Sequence, residues 1–406
     1  RTWLLQVGVL LRKFLDIKCL QRQLLSAIIS LFGGSAMKGG DPGESGRVAS
    51  LDVFRAVCVL AVLATHFIPS FMPSIHRFGW LSSVTNIGSF GVTGFFILSS
   101  YLLGRILLNE YRMGARNIWR RYFLRRILRI WPLYLLVVLL SAVASKIWLN
   151  IPLSAAEWLV TFIYNNFSWA YPTAPWLSHL WSVCAEEQLY ILIPVICSFS
   201  IGGRLAVLPL LAVLAVAFRS QIAGVLPYPA VWNMTPSHLD AFALGMILAS
   251  LDTYASPKWL RIRKGMATSR IIMILCALIA ISMTFMAAQN INAIYASGLS
   301  SITYLVMVGL FGWLLVWSTE LQVGAGSWLL QLIGQRSYGL YIFHWPAVWF
   351  GVQVAKTHGW NRILLGTLAL LVTLIVTEAS YRFFESPISR LKQRFSVFRI
   401  SIDKEG

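Results

Sequence analysis

The chain has 406 residues, 57% of them hydrophobic and only 12% charged, yet carries a formal net charge of +19 from 34 Lys+Arg against 15 Asp+Glu. A soluble domain of this length carries about a quarter of its residues as charges, so the composition excludes an ordinary soluble enzyme and a disordered polyelectrolyte. A mean hydropathy of +0.69 points to a bilayer, and the question becomes where the basic residues fall.

In chain order, the first stretch (Trp3 to Leu11, then Arg12, Lys13, Asp16, Lys18 and Arg22) is short, basic and amphipathic and lacks the small-residue cleavage site of a signal peptide, so it reads as an interfacial helix or an upstream extension. Gly33 to Gly46 is glycine-rich and reads as a linker, with Met37 a candidate natural start. We therefore divide the chain into an extension and linker over 1–49, a transmembrane domain over 50–390 and a basic tail over 391–406. Spanning a hydrocarbon core takes roughly 17 to 25 mostly apolar residues. About ten segments qualify: 51–69, 86–104, 130–149, 177–199, 205–222, 236–252, 271–288, 299–317, 337–354 and 363–384. The expected fold is all-α, a polytopic transmembrane helix bundle. With the N-terminus placed in the cytoplasm, 29 of the 34 basic residues lie on inner segments and only Arg77, Lys146, Arg219, Lys356 and Arg362 lie outside, so both termini are expected to be cytoplasmic. The basic residues occupy separate loops rather than one soluble domain, which argues against a nucleic-acid partner. Five cysteines, none at zinc-ligand spacing, predict no disulfide framework and no metal.

Ionisable residues inside apolar segments cost free energy and mark places of interest. The first span holds Asp52, Arg55 and His66. Eleven residues separate Arg55 from His66, about 16 Å and nearly three turns, so they share one helical face. Taken singly, Arg55 reads as well as an inner anchor and His66 as an inert interfacial histidine. The fourth span carries Glu186 and Glu187, which point about 100° apart, so one at most faces a given cavity. Both also read as interhelical hydrogen-bonding groups. In the ninth span Tyr338, Tyr341 and His344 recur at intervals of three along one face, followed by Trp345 and Pro346, an aromatic belt and a kink. His238 and Asp240 open the sixth, where Gly245 permits close helix contact. Arg120, Arg121, Arg125, Arg126 and Arg129 line the entry to the third, a site for lipid headgroups or for a soluble phosphate compound. No Walker, dinucleotide-binding or HExxH motif occurs.

Taken in order, LDVFRAVCVLAVLATHF (Arg, ten residues, His), FGVTGFFILSSYLLGR, RRYFLRRILRIWPLYLL, LWSVCAEEQLYILIPV, SHLDAFALGMILA, SYGLYIFHWP and YRFFESPIS make the chain resemble the acyltransferase 3 family over residues 50 to 390. Departures are small: Ser100 stands where glycine is usual, and Cys184 and Ala185 where serine and valine are common. The resemblance implies a multi-pass O-acyltransferase of the plasma (inner) membrane, in the stand-alone form without an SGNH domain. It implies that acyl-CoA, commonly acetyl-CoA, is the donor, and a hydroxyl of a sugar, glycan or lipid-linked saccharide the acceptor. By that resemblance Arg121, Arg125, Arg126 and Arg129 meet the donor phosphates and Arg55 orients the donor or balances a buried carboxylate. His66 is then the general base, Glu186 fixes its tautomer, and Tyr338, Tyr341, His344 and Asp240 are candidates for acceptor binding. An acyl-histidine relay is the mechanistic rival. A transporter or flippase for a lipid-linked saccharide is the rival of another class, with intramembrane charges lining its path.

Overall fold

The computed structural model describes residues 49–74, 88–149, 156–166, 168, 175–223, 225–226, 228–272, 274–276, 278, 299–321 and 325–392. The amphipathic extension, the glycine-rich linker and the tail beyond Lys392 lie outside them, as does most of the expected span 271–288. The described residues form helices joined by short connections, with no strand among them. The longer helices are α1 (Ala49–Phe71), α2 (Gly91–Arg112), α3 (Ile118–Ala144), α4 (Trp181–Ser198), α5 (Ile201–Ile222), α6 (Leu239–Tyr254), α7 (Pro257–Thr268), α8 (Leu299–Glu320), α9 (Trp328–Gln335), α10 (Ser337–His358) and α11 (Arg362–Ser380).

Their starts are set locally. Ser200 accepts a hydrogen bond from the Gly203 amide at the head of α5, and Ser256, followed by Pro257, accepts from the Trp259 amide at the head of α7. Asn361 accepts from the Ile363 and Leu364 amides to open α11. Each satisfies amides that the first turn leaves without a helical partner. Gly359, at φ 67°, closes α10 in the left-handed conformation that glycine adopts without strain.

Among the described residues, seven helices are long and apolar enough to cross a membrane: Ala49–Phe71, Gly91–Arg112, Ile118–Ile147, Pro175–Ser198, Ile201–Ile222, Ser301–Glu320 and Arg362–Leu391. Two of the other expected spans also form helices: α6 is only 16 residues long, and α10 runs 22 residues but carries two Tyr, two His and two Trp. The largest boundary difference is at α3, which begins at Ile118, twelve residues before the apolar run. Arginine is a good helix former, so the helix extends through the arginine stretch, where a hydropathy reading stops.

Packing arranges these helices around α2, most of whose apolar stretch is buried, whereas little of α5 is buried and it exposes Leu205, Leu210, Val213 and Leu214. α2 lies against α6, with Gly245 so near Ser100 and the Ile97 carbonyl that any β-carbon would overlap them. α9 crosses α1 where Gly334 meets the Asp52 main chain, and α10 packs on α11 and α1. Two prolines have a further effect. Proline has no N–H, so it leaves the carbonyl four residues earlier without its helical donor. Pro194 frees the Tyr190 carbonyl, which accepts from the Tyr122 hydroxyl at 2.9 Å, and Pro346 frees the Ile342 carbonyl, which accepts from His179 at 3.1 Å.

Candidate active site

The polar residues of α1, α3, α4 and α10 gather at two levels of the bundle. Tyr338 and His344 lie six residues apart on α10, about 9 Å of rise, which sets the spacing between them.

The first level is built from imidazoles. His66 Nδ1 lies 2.9 Å from His344 Nε2, and the two rings stack at 5.0 Å. His344 is fully buried and its Nδ1 lies 2.6 Å from the main-chain oxygen of Tyr341. A carbonyl only accepts, so His344 carries its proton on Nδ1 and, being neutral, presents a lone pair at Nε2. That lone pair must receive a proton from His66 Nδ1. His66 Nε2 is then a lone pair, and it makes no hydrogen bond among the described residues. Thus the main chain, through one buried histidine, sets the tautomer of a second, half-buried one. The Trp345 ring lies 4.7 Å from His66, with its indole N–H donated to the Pro175 carbonyl at 2.8 Å. Behind them, Tyr341 donates its hydroxyl proton to the His179 carbonyl at 2.8 Å and lies 2.5 Å from Ser182 Oγ.

The second level carries charge. Ser99 donates to Glu186 at 2.8 Å, and Trp131 donates its indole N–H to Glu187 at 3.0 Å. Arg126 lies over the Tyr190 ring at 5.1 Å, and the charges of Arg126 and Arg129 both act on Glu186. Arg129 also acts on Glu385, whose oxygen accepts from Ser380 at 3.0 Å. Tyr338 donates to the Ile130 carbonyl at 2.8 Å.

Several expected site residues are thereby placed together and others apart. His66 meets His344, 278 residues away, while Glu186 is held by Ser99 and makes no hydrogen bond to His66. Arg126 and Arg129 share a level with Glu186, whereas Arg125 donates to both oxygens of Glu110 at 2.6 and 3.0 Å. Arg121 is half-buried on the same helix. Arg55 bonds Asp52 at 2.5 Å within its own helix, about 16 Å of rise below His66. Asp240 forms an ion pair with Arg219 at 2.7 Å, with both side chains at most 2% exposed, and Arg219 lies over the Tyr304 ring. Tyr338 and Tyr341 have committed their hydroxyl protons to main-chain carbonyls. Sequence reasoning passed over His179, Ser99, Glu385 and the pairing of Arg219. A signal existed for His179: with Ser182 and Glu186 it recurs at intervals of three and four, one helical face.

The family profile for an acyltransferase domain matches residues 48–382, and the chain belongs to this acyltransferase family. It is 26% identical to the O-acetyltransferase OatA of Staphylococcus aureus strain NCTC 8325 over 377 residues, covering 88% of this chain and 59% of that protein. OatA of strain MRSA252 is 27% identical over 369 residues (86% and 58%), and the putative O-acetyltransferase SACOL0978 of strain COL 25% over 371 (84% and 57%). The chain thus spans about three-fifths of the length of these curated relatives. No solved structure matches.

Proposed function

We propose that the chain is an integral membrane O-acyltransferase, moving an acyl group, acetyl by analogy with its relatives, from acyl-CoA to a hydroxyl of a sugar or glycan. The observation that carries this reading is the imidazole relay from the Tyr341 carbonyl through His344 to His66. It supplies a neutral ring with one free lone pair, which a hydroxyl must meet to become a nucleophile. Acyl-CoA approaches from the cytoplasmic side, where its phosphates meet Arg129 and Arg126; guanidinium groups recognise phosphate bidentately. Arg121 borders this route. Arg125, paired with Glu110, holds α3 against α2.

In the step itself, His66 Nε2 takes the acceptor hydroxyl proton as that oxygen attacks the thioester carbonyl. A C–O bond forms, the C–S bond breaks, and the proton passes from His66 to the departing CoA thiolate. While His66 is protonated, its Nδ1–H remains on His344, which stabilises the imidazolium by accepting. Glu186 adds negative charge from the level below, and the Tyr341 carbonyl takes the orienting task that a carboxylate performs in serine hydrolase triads. The membrane site is the plasma membrane, with both chain ends on the cytoplasmic face, as the distribution of basic residues supports.

The test is mass spectrometry of surface glycans from cells carrying the wild-type chain or His66→Ala at equal membrane abundance, alongside CoA release by the reconstituted protein. The reading predicts an acetyl mass increment and CoA release in the first alone, with a loss of about 10²- to 10⁴-fold in the variant. Equal acetylation in both, or saccharide transport across vesicles without acyl-CoA turnover, would sink it.

A further inference from the structure

A second lone pair lies beside the relay. His179 is 4% exposed, and its Nε2 lies 3.1 Å from the Ile342 carbonyl, the one that Pro346 leaves without a helical donor. Because a carbonyl only accepts, His179 carries its proton on Nε2, and its Nδ1 is an acceptor. That Nδ1 is buried and has no hydrogen-bond partner. A buried acceptor left unsatisfied calls for an explanation, and this one lies beside the reacting imidazole. Three observations tie it to the active site. The His179 ring meets His344 edge to face at 5.3 Å. It lies within electrostatic reach of His66. Its main-chain carbonyl is clamped by the Tyr341 hydroxyl, on the helix that carries His344, so its position is set by the same element.

We propose that His179 is a specificity-determining residue, whose Nδ1 accepts a hydrogen bond from a second hydroxyl of the acyl acceptor. The inference rests on the O-acyltransferase reading above and deepens it. Both imidazoles offer lone pairs and neither offers a free N–H, so the pair selects molecules that donate at two places: a polyol rather than a simple alcohol. Trp345 fits the same acceptor, since its half-exposed ring, held by Pro175, offers the electron-rich face against which the C–H bonds of a sugar ring rest.

The experiment uses the full chain in lipid nanodiscs with acetyl-CoA and two probe acceptors: n-octanol, with one hydroxyl, and octyl glucoside below micelle-forming concentration, with several. The readout is the ratio of kcat/KM for the glucoside to that for octanol. In His179→Gln the amide N–H replaces Nε2–H on the Ile342 carbonyl, but nothing replaces Nδ1. In His179→Asn the amide oxygen stands near the Nδ1 position. The ratio is expected to favour the glucoside in the wild type, to fall about tenfold in His179→Gln, as loss of one hydrogen bond implies, and to stay near wild type in His179→Asn. An unchanged ratio in His179→Gln, or an equal fall in both variants, would assign His179 to packing and overturn the proposal. No wild-type preference for the glucoside would overturn it too. Transfer by the wild type to neither alcohol would instead remove the parent reading, and this one with it.

Discussion

At the level of His66, His179 and His344, polarity is managed without charge: rings are bonded to each other and to main-chain carbonyls, and no carboxylate contacts them among the described residues. One level along the same helices, polarity is managed by charge: Glu186, Glu187 and Glu385 lie among Arg126 and Arg129, and nearby Arg125 grips Glu110. The difference has a chemical reason. A general base needs its lone pair free and its tautomer fixed, and a neighbouring carboxylate would favour the protonated ring instead. A polyanionic donor needs positive charge, which inside a bundle must be held in place by partners. Damage at the first level should therefore show in catalysis, and damage among the ion pairs in folding or donor affinity.

The largest effect expected outside the base itself is on stability. Arg219→Ala strands Asp240 in the interior, and breaking such a buried pair costs about 3–5 kcal/mol. Thermal unfolding in detergent should show a much lower midpoint, and the double variant Arg219→Met/Asp240→Leu should recover most of it. A double variant as unstable as the single one would mean that the pair does more than balance charge. Next in size, His344→Ala removes the acceptor that fixes the His66 tautomer. We expect kcat to fall about 10²-fold with little change in KM for acyl-CoA, the lower end of what positioned acid–base help contributes. His344→Gln, whose amide oxygen accepts from His66 Nδ1, should restore part of the loss. If the glutamine variant is no better than alanine, the relay has no catalytic role. The smallest effect is expected at Arg129→Ala, on the exposed side of the charged level. KM for acetyl-CoA should rise about tenfold, the low end for loss of one charge-assisted hydrogen bond, while kcat changes little. An equal fall in kcat with KM unchanged would move the donor phosphates elsewhere.

Apolar runs made most of the helices readable, and α1 at Ala49–Phe71 departs from the expected 51–69 by only two residues at each end. Hydropathy says where a chain is at home in lipid, not where its helix begins, which is why the apolar run 130–149 is shorter than α3, whose first turns carry the arginines expected on a helix entering that span. Within the site, relations along one helix were legible. The spacing of Tyr338, Tyr341 and His344 places them on one face, and the structure finds them there bonded to α3 and α4 neighbours and to His66. Relations between helices were not. Nothing in the spacing of Arg55, His66 and Glu186 indicates that His66 takes a histidine 278 residues away while Glu186 takes Ser99. Such partners are chosen by how helix faces meet: Gly245 announces a close contact, but no local pattern names the Ile97 main chain as what it meets. For His179 the spacing with Ser182 and Glu186 marks a shared face, but its significance lies in an unpartnered Nδ1, which a sequence does not display.

Pro346, read from the sequence as a kink, gives the bundle a vacancy with a fixed address. Every other residue type at that position would supply an N–H, and the Ile342 oxygen would again have a suitor from within its own helix. His179 would then compete for an oxygen it now holds without rivalry, and its ring would be free to turn its proton inward. On this view a helix-breaking residue acts as a silencer: it keeps one oxygen out of the helix ladder so that an imidazole on a neighbouring segment has only one way to face. Pro194 does the same for Tyr122 across the α3 and α4 contact. In a medium without water to fill the gap, removing a single donor from a helix is a way of writing an instruction to the helix beside it.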